Sequence, residues 1–114
     1  MKNTYRAGLF AEWIARQILR LHGYKILEAR YTTGARTGRA EIDIIARRGK
    51  LILFVEVKNR PNATAGLEAI TWSQSARLRR AAETWLLRRA PLATARFDAI
   101  IVSGWKVRWF KNAV

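Results

Sequence analysis

Between residues 9 and 21 the apolar side chains Leu9, Phe10, Trp13, Ile14, Ile18 and Leu21 recur at helical spacing. Gly23 follows where a left-handed C-cap would end that helix. The stripe, Trp13 included, is expected to face the core. The small residues Gly8, Ala11 and Ala15 fall on another side, near Glu12, where a second element could pack closely. Residues 24–31 read as a strand, and residues 32–39, with Gly34 and Gly38 among Thr and Arg, as a basic loop. Residues 41–46 and 51–58 are apolar, β-branched runs joined by Arg47, Arg48, Gly49 and Lys50, the pattern of a β-hairpin. Residues 59–66, with Pro61, form a connection. Leu78, Ala81, Ala82, Trp85 and Leu86 then mark a second helix ending before Pro91. Residues 97–102 form a short apolar strand, Ser103 and Gly104 a turn, and residues 105–110 a half-exposed last strand. The order is αβββαββ, an α/β arrangement in which a mixed central sheet is flanked by helices.

Composition narrows what such a chain can do. At 114 residues it has room for one domain, 1–114, and half of it is apolar, enough to offset chain entropy. Without Cys there is no disulfide scaffold or thiolate metal site, and the single His22 excludes a multi-histidine zinc site. No apolar run approaches the roughly 18 residues of a bilayer span, and the N-terminus has no signal-peptide pattern, so a cytoplasmic protein without membrane contact is expected. The net charge is +14, with 22 Lys and Arg against 8 Asp and Glu, and the cations run along the whole chain. A polyanion, nucleic acid first, is the expected partner. Trp85 is placed on a core face, while Trp72, Trp105 and Trp109 either stack on bases or form a surface for a homodimer.

Three of the eight acids, Glu41, Asp43 and Glu56, fall on the hairpin strands. Alternation puts Glu56 and Lys58 on one face of their strand, and sets Glu41 and Asp43 opposite Ile42 and Ile44. Acids on strands this apolar must be paired, hold a cation or bear a desolvation cost. Glu56 and Lys58 as a cross-strand ion pair is one reading. The other is a pair of carboxylates on adjacent strands holding a hard divalent ion, with an ammonium two residues on to assist the attacking water. Gln74, in the apolar stripe of the second helix, either bonds backbone in the core or touches water or phosphate. Glu12 on its helix could pair with Arg16. Asp98 reads as a structural ion-pair acid.

Asp43, a short intervening stretch and Glu56-Val57-Lys58 in this order of elements resemble the signature of the PD-(D/E)xK nuclease superfamily. From about Gly8 to Val102 the chain resembles, more closely, the YraN-like bacterial family of predicted endonucleases, similar to archaeal Holliday-junction resolvases. The resemblance rests on G8-L-F-A-E12, G23-Y24, E41-I-D43, F54-V-E56-V-K58-N-R60, Gln74, R77-L78 and R96-F-D98. It implies a restriction-endonuclease-like fold and hydrolysis of phosphodiesters in DNA rather than RNA, with branched or junction DNA among the substrates. It also implies Mg²⁺ or Mn²⁺ held by Asp43, Glu56 and Glu12, with Lys58, Gln74 and Glu12 around the reacting groups and Glu41 beside them. Arg36, Arg39, Arg60 and Arg77 would fix phosphates without reading sequence. One position departs: the family usually has Gly before Glu41, and here Ala40 stands, with its narrower backbone range. A noncatalytic nucleic-acid-binding module on the same fold, or a basic protein–protein adaptor, remains the alternative.

Overall fold

The computed structural model describes residues 2–34 and 39–114; Arg36 and the middle of the 32–39 loop lie outside them. The elements are α1 (Lys2–Leu21), β1 (Lys25–Thr32), β2 (Glu41–Arg48), β3 (Leu51–Asn59), α2 (Ala63–Glu68), α3 (Trp72–Arg89), β4 (Thr94–Ser103) and β5 (Lys106–Phe110). The strands form one sheet in the order β1-β2-β3-β4-β5. Only β3 and β4 run parallel, because α2 and α3 carry the chain between them, and every other neighbouring pair is antiparallel. The α/β class and the mixed sheet flanked by helices are as the periodicity predicts, and they are consistent with a restriction-endonuclease-like fold.

Both faces of the sheet are covered, which is why β3 and β4 read as nearly unbroken apolar runs. Ile52 and Phe54 of β3 meet Leu78, Ala81, Ala82 and Trp85 of α3 on one face. Leu53, Val55 and Val57 meet Ala11, Ala15 and Leu19 of α1 on the other. Gly23, at φ 85, closes α1 as expected: the Tyr24 amide bonds the Leu19 carbonyl at 3.0 Å and the Gly23 amide that of Arg20. Gly49, at φ 61, makes the tight turn between β2 and β3.

Two expectations are corrected. The face of α1 that meets the sheet is the small-residue one, Ala11, Ala15 and Leu19, while Leu9, Phe10, Trp13 and Leu21 point outward, Trp13 being half exposed. The sheet already supplies the volume through Ile and Val, so alanines let the helix backbone approach it. Phe10 and Trp13 instead stack on one another, with ring centroids 6.3 Å apart. Across the end of the expected connection, residues 63–68 form α2, capped by the Asn62 side chain, which accepts the Ala65 amide at 2.8 Å. Six residues are too few for a periodicity to show.

Helix α2 lies hard against β4. A Cβ at Gly66 would come within 2.4 Å of Cγ2 of Ile101, which is itself fully buried. Gly66→Ala is therefore expected to destabilise the fold by about 1–3 kcal/mol despite its better helix propensity, read as a lowered urea midpoint; an unchanged or raised midpoint would contradict this packing.

Candidate active site

Pairing between β2 and β3 stops at Ile44 and Val55. Beyond that point β2 stays paired with β1 as far as Glu41, and β3 stays paired with β4 as far as Asn59. The sheet thus forks, and Asp43 and Glu56 stand at the opening. Continued register would set Val57 opposite Ile42, but the Val57 amide instead donates to Oδ2 of Asp43 at 2.8 Å. The side chain takes over a main-chain acceptor's role, so β2 is no longer held flat. Ile42 and Ile45 accordingly join the core beneath α3, while Ile44 joins that beneath α1. The expected strict alternation of Ile42 with Ile44 on one face fails at Asp43 for this reason.

Glu56 and Lys58 share the α3 face of β3, as alternation predicts. The Lys58 ammonium lies 3.1 Å from Oε1 of Glu56. Gln74, in the first turn of α3, donates its side-chain amide to the same oxygen at 3.4 Å. Its backbone amide is in turn capped by the Thr71 hydroxyl. The other oxygen, Oε2, is buried and receives no hydrogen bond among the described residues. Burial and the neighbouring Glu56 charge push the Asp43 carboxyl up to about 8, against the partial relief of the Val57 amide. Burial also raises Glu56, opposed by the neighbouring Lys58 ammonium. Two acids under this pressure, one with an orphaned oxygen, form a donor set suited to a hard cation. Among the described residues no three acid or histidine side chains gather closely enough to hold a metal ion by themselves, so Asp43 and Glu56 are the pair available.

Around this pair lies a cavity of about 750 Å³, and it takes in most of the expected site. Glu12, Arg39, Glu41, Lys58, Arg60, Gln74 and Arg77 all line it. Glu12 is held by Arg30, which contacts both its oxygens at 2.9 and 3.2 Å, and not by the expected Arg16. No local pattern in the sequence points to Arg30, because its partner lies 18 positions away. The loop before Glu41 needs a left-handed residue, but that residue is Arg39, at φ 51. Ala40 has no such strain and exchanges hydrogen bonds with Thr33, so the departure from glycine is accommodated. Asp98 is fully buried outside the cavity, held by Arg96, the Trp109 indole and the Asn112 amide, which bears out its structural reading. Trp109 is thereby a packing residue, edge-on to His22 and Tyr24, and is not free to stack on a base.

Residues 11–102 match the model of the Uncharacterised protein family UPF0102. The chain belongs to this family. UPF0102 is the YraN-like family whose motifs the sequence resembles. A UPF0102 protein of Paramagnetospirillum magneticum is 42% identical over 104 residues, covering 90% of this chain and 81% of its own length. One from Mesorhizobium japonicum is 43% identical over 110 residues, covering 95% and 83%. A third, from Rhizobium johnstonii, is 39% identical over 115 residues, covering 98% and 91%. No helix among the described residues of this UPF0102 protein is long and apolar enough to cross a membrane.

The raised carboxyls fix the sign of a pH effect. Folding raises the Asp43 pKa, so between the ordinary carboxylate range and about 8 the folded state binds more protons than the unfolded. Stability without divalent ions should therefore fall as pH rises through that window and level off above it. Asp43→Asn can still accept the Val57 amide, loses the charge, and is expected to flatten this slope and raise the melting temperature at pH 8. Melting curves in EDTA between pH 5 and pH 9 check it; a wild-type slope of the opposite sign would show the acids to be fully compensated.

Proposed function

We propose that this UPF0102 protein is a metal-dependent endonuclease that hydrolyses phosphodiester bonds in DNA. The observation that supports this most is the buried Asp43–Glu56 pair, with its orphaned Oε2, beside a lysine in a cavity rimmed by arginines. Asp43 and Glu56 would hold Mg²⁺ or Mn²⁺, which when bound supplies Lewis-acid activation of water and of a phosphate oxygen. Glu12 lines the same cavity and can add a contact through water, its orientation fixed by Arg30. Lys58, largely buried against Glu56, presents a fixed positive charge where negative charge grows in the transition state. Gln74 donates one amide proton to Glu56, which leaves its carbonyl oxygen to orient the attacking water. Arg39, Arg60 and Arg77 bind flanking phosphates, and Glu41 at the exposed start of β2 keeps the local field from holding product too tightly.

Asp43→Ala and Glu56→Ala are expected to abolish cleavage yet preserve or tighten DNA binding, since each removes a negative charge facing phosphates. Lys58→Ala should lower the cleavage rate by about 10²–10³-fold with only a modest loss of affinity. A panel of duplex, flap, single-stranded and four-way-junction DNA, with Mn²⁺ or EDTA, measures both quantities. Absence of Mn²⁺-dependent cleavage of every substrate by the folded wild type would overturn the proposal.

Because the +14 charge displaces condensed counterions, DNA affinity should also fall at least about tenfold between about 50 and about 200 mM salt. A flat titration of duplex or junction DNA would remove the electrostatic basis for binding.

A further inference from the structure

Two of the five tryptophans are almost wholly exposed, Trp72 at 94% and Trp105 at 101% of the free residue's accessibility. The others have packing roles: Trp85 is in the core, Trp109 bonds Asp98, and Trp13 stacks on Phe10. Trp72 lines an apolar groove against Val114 that is separate from the candidate active site. Trp105 is different. It is the second residue of a two-residue turn, Gly104–Trp105, closed by the pairing of Ser103 with Lys106. Gly104, at φ 61, supplies the positive φ such a turn requires at its first position. Gly104 also lines the cavity of Asp43 and Glu56. The turn is tied to the cavity wall, because the Arg60 amide bonds the Val102 carbonyl at 3.1 Å. Among the described residues no ring or cation covers the Trp105 indole; the exposed Arg60 lines the cavity with Gly104, and the exposed Lys106 follows Trp105 at the start of β5.

An uncovered indole, held on a stiff turn at the edge of a cavity lined by basic side chains, is the arrangement that receives a base's flat face. Bases within a duplex are stacked on one another and have no free face to offer. From this we infer that Trp105 stacks on an unpaired nucleobase next to the phosphate held in the cavity. The inference rests on the cavity's binding nucleic acid, and it narrows the substrate to strands with unpaired bases beside the cleaved bond. Duplex without unpaired bases is bound through phosphates alone.

Because Trp105 supports no core packing, its removal leaves the fold intact, and the test can be made on the whole chain in EDTA, where no cleavage occurs. Fluorescence anisotropy would compare an intact single strand of about 12 nucleotides, an abasic strand of the same length and a blunt duplex. Trp105→Ala is expected to weaken the intact strand about tenfold and to leave the abasic strand and the duplex within about twofold, whereas Trp105→Phe retains most of the affinity. Trp72→Ala, equally exposed but outside the cavity, should change none of the three. Equal losses on all three ligands, or the same loss from Trp72→Ala, would overturn the inference. So would no loss at all, which would assign the indole to a protein partner. Failure of the nuclease reading would appear separately, as absence of Mn²⁺-dependent cleavage with the stacking signature intact.

Discussion

The hydrogen bond from the Val57 amide to the Asp43 carboxylate is the contact on which the candidate site depends. A central sheet that continued in register would satisfy every amide with a carbonyl and leave no opening. Splitting β2 from β3 strands the amide of Val57, a buried residue, and a buried donor left unmade costs on the order of 1–3 kcal/mol. Asp43 removes that cost and in doing so is held at the fork, with Glu56 across from it. The same carboxylate both permits the cavity and furnishes it.

The close approach of α1 is the second condition. Ala11 and Ala15 are fully buried against the sheet, and one turn earlier Ala7 and Gly8 line the cavity. Larger side chains on that face would hold the helix off and carry Glu12 away from Asp43 and Glu56. The bulky residues of α1 are therefore displaced to the outer side, where Phe10 and Trp13 cover each other. A conventional amphipathic reading inverts this helix, because it scores hydrophobicity and not the distance at which a helix must pack.

What the sequence makes legible is what is local. Gly23 ends α1, Gly49 turns the hairpin, the spacing of Leu78, Ala81, Ala82 and Trp85 sets the buried face of α3, and alternation brings Glu56 and Lys58 to one face. Asp43, Glu56 and Lys58 were recognisable as a group because their spacing is that of two adjoining strands. The fork was not legible, since it depends on which of two possible acceptors an amide chooses. Nor was the Glu12–Arg30 pair, which joins α1 to β1 across 18 residues, or the capture of Trp109 by Asp98. In each case the deciding partner lies far along the chain, and no periodicity carries that information.

The distribution of the acids gives the site its meaning. This chain has nearly three cations for every acid, so an arginine is available wherever a carboxylate needs one. Asp98 has Arg96, Glu12 has Arg30, and Glu28 has the Trp85 indole. Among the described residues Asp43 has only an amide, and Glu56 shares one oxygen between Lys58 and Gln74 while the other meets no donor. Had stability been the sole constraint, an arginine or an apolar pair at these positions would remove the desolvation cost. Leaving two adjacent carboxylates under-compensated inside so basic a molecule is uphill, and the arrangement would become favourable if a divalent cation met both, as the proposed function requires. That no arginine among the described residues bonds either carboxylate, although Arg39, Arg60 and Arg77 line the same cavity, is thus the physical ground on which the proposed metal-dependent chemistry at the fork rests.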